Sequence, residues 1–112
     1  MASVPVDHSE TKPPVESVAA RFQRLAAVWR AETSHLSSGT KMAEHHAYQE
    51  IIGMGTAVVP LLLADLGRQP DHWFVALKAI TGANPVGPAD RGRIDKMANA
   101  WLQWGTENGY QW

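Results

Sequence analysis

The side chains best suited to chemistry crowd into one stretch, from Glu32 to Glu50. His45 and His46 are adjacent, with Glu44 before them and Glu50 after. His46 and Glu50 are four apart, so on a helix they share a face, and His35 or His72 would have to complete a metal site. Consecutive helical residues point about 100° apart, and no His-Glu-x-x-His spacing is present. The pattern therefore reads as surface or capping histidines. No metal and no cofactor is expected.

Upstream, Glu32, Thr33, His35, Ser37, Ser38 and Lys41 make the densest polar run. A hydroxyl, an imidazole and a carboxylate in one segment are the parts of a nucleophilic site, and Asn84 could add an amide to them. The site set on this reading is Glu32, Thr33, His35, Ser38, Lys41 and Asn84. No Gly-x-Ser-x-Gly elbow supports a hydrolase, and short hydroxylated residues are favoured at helix caps. Capping is thus the leading account, and no catalytic residue is assigned. Ser38-Gly39-Thr40-Lys41 has the letters of a phosphate loop in the wrong arrangement, which argues against a nucleoside triphosphate.

Five of the nine aromatic residues are tryptophan. Tryptophan is large and rarely buried completely, and it is enriched at protein–protein hot spots. Trp29, Trp73 and Trp101 fall where internal packing explains them. Trp104, Tyr110 and Trp112 exceed what a small core needs and form the expected partner-binding patch, with Trp73 alongside.

These residues need elements to hold them. Val15, Val18, Phe22, Leu25 and Trp29 are spaced 3, 4, 3 and 4, one helical stripe, and Pro13 or Pro14 suits the first turn. That spacing predicts a helix over 14–33. A second helix carries Tyr48, Ile51 and Ile52 and stops at Gly53 or Gly55. A third begins near Thr56 with Pro60 in its first turn and Gly67 closing it. Pro70 and Asp71 open a fourth, with Trp73, Phe74, Leu77 and Ile80 at helical spacing and Gly82 as its stop. Residues 82–88 form a loop. A last helix spans 89–107, with Asp90 as N-cap and Ile94, Met97, Ala98, Trp101, Leu102 and Trp104 on a broad apolar face. No strand pair is evident. The fold class is all-α, a compact bundle of four to five helices, with residues 1–13 as a flexible tail and 14–112 as one domain.

Composition narrows the function. A chain of 112 residues is one domain. Without cysteine it has no disulfide framework and no thiolate metal site. Ten basic residues against eleven acidic ones leave a net charge of −1, without the basic excess that nucleic-acid binding requires. The longest apolar run, 57–64, is far short of a membrane span. No nucleic-acid partner and no membrane is expected, and the location read from the sequence is cytoplasmic.

Residues 51–82, IIGMGTAVVPLLLADLGRQPDHWFVALKAITG, resemble a HEAT-type helical repeat. Gly55, Ala57, Val58, Pro60, Leu61, Leu63, Ala76 and Leu77 stand where such a repeat wants turn, small or apolar residues. No second copy recurs, so the resemblance implies a single HEAT-like helical pair within the bundle, not a solenoid. Residues 22–112 resemble a small uncharacterised family of bacterial proteins, through TKMAEHHAYQEIIGMG, PLLLADL, DHWFVALKAITGANPV and the ending Trp101-Leu-x-Trp-Gly105. That resemblance implies a short chain encoded beside a second small protein, as toxin–antitoxin and immunity pairs are.

The function expected is therefore a helical protein–protein interaction module that neutralises or assists a co-encoded partner protein. The alternatives are a small enzyme with its polar site around Glu32–Ser38 and a homodimeric structural protein joined at the aromatic end.

Overall fold

The computed structural model describes residues 16–112. Among these residues six α-helices follow one another: α1 (Val18–Thr33), α2 (Gly39–Ala43), α3 (His46–Gly53), α4 (Val59–Arg68), α5 (Phe74–Thr81) and α6 (Ile94–Glu107). Short 3-10 turns precede α4 and α6, at Gly55–Val58 and Pro88–Asp90. The fold is all-α, with no strand among the described residues.

α1 starts where Ser17 caps it. The Ser17 hydroxyl accepts the Ala20 N–H at 3.0 Å, supplying one of the four amide partners that a helix start lacks. The Glu16 carboxylate reaches back to Arg24, accepting from Nε and Nη2 at 2.9 Å each. Those hydrogen bonds hold its carboxyl below the ordinary range. Pro13, Pro14 and Val15, expected in the first turn and stripe, and the expected tail over 1–13 lie outside the described residues. The buried stripe begins at Phe22, because Val18 is 42% exposed.

The predicted second helix is two helices. Ser38 caps α2, its hydroxyl accepting the Lys41 N–H at 3.3 Å. His45 then takes an extended backbone (φ −64, ψ 141) and caps α3 through Nδ1, which accepts the Ala47 N–H at 3.0 Å. A residue spent on a cap cannot also continue the preceding helix, so the chain turns there. Pro60 sits in the first turn of α4 as expected, but Gly67 does not close that helix, which runs on to Arg68. Pro70 and Asp71 form a turn ahead of α5. The Asp71 carboxylate accepts the His72 N–H at 2.8 Å, and its carbonyl accepts the Trp73 N–H at 2.9 Å. Gly82 ends α5 in the left-handed region, φ +74, which a Cβ would strain. α6 begins at Ile94, not 89, because Asp90 belongs to a 3-10 turn and Gly92 breaks the chain direction at φ +84.

α1 packs chiefly on α3, α3 on α5, and α4 on α6. Rings fill the centre. Trp73 lies 4.5 Å from Trp29, 5.4 Å from Phe22 and 5.5 Å from Tyr48, centroid to centroid. Aliphatic side chains of α3 and α4 (Ile51, Leu62, Leu63 and Leu66) complete the core. No single helix among the described residues is long and apolar enough to cross a membrane. The bent pair formed by α3 with the Gly55–Arg68 segment passes such a test by length and composition, but its apolar side chains are spent on this core.

Candidate functional site

The polar run does not assemble into a cleft. Thr33 is buried, and its hydroxyl donates to the Trp29 carbonyl at 2.6 Å. Ser38 is the cap of α2. Lys41 offers its backbone N–H to that cap while its side chain stays exposed. His35 is exposed. Asn84 lies apart, on the wall of a surface groove with Lys78 and Arg91. The Thr33 and Ser38 hydroxyls thus serve local backbone satisfaction, as short polar side chains do at helix ends. No nucleophile–base pair arises among the residues proposed for an enzyme.

Glu32, His45 and His46 do converge, with candidate ligand atoms all within 4.8 Å of one another. The sequence objection, that adjacent histidines diverge on a helix, does not apply, because His45 is a cap and its ring stacks on His46 at 4.3 Å. The hydrogen bonds account for the cluster instead. Nδ1 of His45 accepts the Ala47 N–H, so the proton of the neutral ring sits on Nε2. That N–H points at Oε1 of Glu32, 2.6 Å away. Both ring nitrogens are in use, and a cation at Nε2 would require the cap to be given up. The pair fastens the end of α1 to the start of α3.

A second polar centre surrounds Asp65, outside the residues that the sequence singles out. Asp65 is buried, yet both carboxylate oxygens are engaged. Oδ2 accepts from the indole N–H of Trp73 at 2.7 Å and pairs with Arg30, and Oδ1 pairs with Arg68. Arg30 also donates to Asp71 at 3.0 Å and lies over the Trp73 ring, 5.8 Å from its centroid. A buried carboxylate is retained only when paired and hydrogen-bonded, which makes this centre structural. The signal was one acid within Leu-Leu-Leu-Ala-Asp-Leu, an apolar face interrupted at a position that helical spacing turns inward.

Trp29, Trp73 and Trp101 are buried. For Trp73 that corrects the expected partner contact. The ring is fully enclosed, its one polar atom is bonded to Asp65, and no surface is left to offer. Trp104 and Tyr110 are half-buried and stack on each other at 5.5 Å. Beyond α6 the chain turns back at Gly109 (φ +81), and the Tyr110 N–H reaches the Gly105 carbonyl at 2.9 Å. Trp112 folds onto Gly105 but remains 46% exposed.

A groove runs along α5 and the start of α6. Two adjoining cavities of about 340 and 380 Å³ share Phe74, Val75 and Met97 as a common floor. The first extends to Gly39, His72 and Ile94, and the second to Val86, Lys78 and Arg91. Val75 is 42% exposed there. Gly39 matters to the wall, because a Cβ would come within 2.9 Å of His72 Nδ1. α6 starts beside the groove without a side-chain cap, so its free amides add partial positive charge. In the sequence Phe74 reads as part of the core stripe, and the helical spacing does not single out Val75. The available signal was that Phe-Val-Ala-Leu carries apolar residues around more than one face of α5, while only Ala76 and Leu77 of that run are buried.

Comparison with protein-family models, with curated proteins and with solved structures returns no match.

Proposed function

We propose that this chain is a small protein–protein interaction module that binds a segment of a partner protein in the groove across Phe74, Val75 and Met97. The supporting observation is the groove itself: two adjoining cavities with a shared apolar floor and an exposed Val75 at its centre. An apolar groove on a folded domain can receive the apolar face of an amphipathic segment of another protein. On this reading the protein acts in the cytoplasm, and the partner is the product of the neighbouring gene, which it neutralises or assists as an antitoxin or immunity protein does. Co-expression with that product, followed by co-purification, tests the reading. A complex that forms with the native chain and is lost with Val75→Glu supports it. Separate, fully soluble proteins overturn it.

A second reading is self-association through the C-terminal rings. Trp112 favours it, a large side chain left 46% exposed where Trp104 and Tyr110 stack beneath. Light scattering at two protein concentrations distinguishes a homodimer from a monomer, and Trp112→Ala abolishes the dimer if this end forms it.

A further inference from the structure

We infer that the occupant of the groove is an acidic, amphipathic segment of a partner protein, with an apolar face for Phe74, Val75 and Met97 and carboxylates for Lys78 and Arg91. The inference rests on the interaction reading above and assigns the chemistry of the segment.

Three observations carry it. The floor is apolar over both cavities, and Ile94 and Val86 extend it at the two ends, so the occupant must bring a continuous apolar stripe. The formally charged side chains on the walls are Lys78 and Arg91, with His72 at the far end, and no described acidic residue lines either cavity. Neither Lys78 nor Arg91 forms an ion pair with a described residue. Arg21, Arg24, Arg30 and Arg68 each meet a carboxylate, while Lys41, Arg93 and Lys96, like the two cations of the groove, form no ion pair with a described residue. In a chain with a net charge of −1, two cations without an ion-pair partner among the described residues thus stand on the wall of the second cavity, beside the apolar floor. Complementary charge at the rim of an apolar site selects the partner and speeds encounter more than it adds affinity. An amphipathic segment laid in a groove places its anchors on one stripe and its charged residues beside them, which matches an apolar floor with cationic walls.

The test is a displayed library of random peptides selected on the full chain and counter-selected on Val75→Glu, with circular dichroism verifying that the variant is folded. The expected result is a set of binders enriched in Asp and Glu beside apolar residues. Their affinity should fall about tenfold in Lys78→Glu/Arg91→Glu, and the difference should shrink in high salt. Binders without acidic enrichment, or enriched in Lys and Arg, overturn the inference while leaving the groove as a binding face. An absence of any binder sensitive to Val75→Glu overturns the interaction reading beneath it. Capture of peptides only after residues 1–15 are deleted overturns the partner in favour of an internal occupant.

Discussion

The indole N–H of Trp73 ends on the carboxylate of Asp65, 2.7 Å away, where both residues are buried. Each group solves the other's problem. The ring brings a donor that burial would leave orphaned, and the carboxylate brings a charge that burial would penalise. Arg30 and Arg68 complete the neutralisation from the surface side, where their side chains are 41% and 66% exposed.

Asp65→Ala should cost about 1–3 kcal/mol, the range for a buried donor stripped of its acceptor. The loss stays below that of a fully buried ion pair, because both arginines can turn to water. A shifted urea midpoint at unchanged slope would report it. Trp73→Phe in the Asp65→Ala background should add less than it does in the native chain, by about 1 kcal/mol. Full additivity would show that the two groups do not depend on each other.

Tyr48 links three elements through one oxygen. Its hydroxyl donates to the His72 carbonyl at 2.8 Å and accepts the Ala76 N–H at 2.9 Å, an amide in the first turn of α5 that has no helical partner. Tyr48→Phe therefore leaves a donor and an acceptor unmatched, at about 2 kcal/mol. Burial pushes the Tyr48 phenol well above its usual range. The sign follows from linkage. Above the unfolded value of about 10, the unfolded chain gives up this proton and the folded chain keeps it, so stability falls as pH rises. Alkaline unfolding should be steeper in the native chain than in Tyr48→Phe. Parallel pH profiles for the two proteins would contradict the assignment.

The centre of this fold was readable because its signals are periodic. Phe22, Leu25 and Trp29 repeat at helical spacing, and Gly82 ends a helix where only a left-handed residue fits. The misplaced starts, at 89 for α6 and at Pro70–Asp71 for α5, have one cause: Asp90 and Asp71 look like caps but belong to turns that precede the helices. Partnerships across the chain were not readable. Asp65 finds Arg30 thirty-five residues away, and His45 finds Glu32 across α2. The groove was illegible for a related reason. Phe74, Ile94 and Met97 look like core residues in sequence, and only the fold, which sets α5 and α6 along one groove, decides that they line a surface.

His45 should prove structural. His45→Ala removes the cap of α3 and the bond to Glu32, and should cost about 1 kcal/mol. Asn at this position retains a side-chain acceptor for the Ala47 N–H, so His45→Asn should recover most of that loss. Thermal unfolding of the two variants separates a capping role from any other. Equal destabilisation by Ala and Asn would mean that the cap contributes nothing and that the Glu32 bond carries the effect.

Two glycines inside helices should respond in opposite directions to the same change. Gly67, in α4, has open space where a Cβ would go, so Gly67→Ala should stabilise the protein by up to about 1 kcal/mol through helix propensity. Gly105, in α6, has none. A Cβ there would come within 2.6 Å of Leu63 Cδ1 and 2.9 Å of Trp112 Cζ3. Trp112 can swing into solvent, but Leu63 is fully buried and cannot. Overpacking should therefore outweigh propensity, and Gly105→Ala should destabilise by about 1–2 kcal/mol. Adding Trp112→Ala should not rescue it, because the Leu63 contact remains, whereas Leu63→Val should restore part of the loss. Chemical denaturation of the set decides the matter, and a stabilising Gly105→Ala would mean that α4 and α6 are less closely apposed than the packing of Leu63 on Gly105 requires.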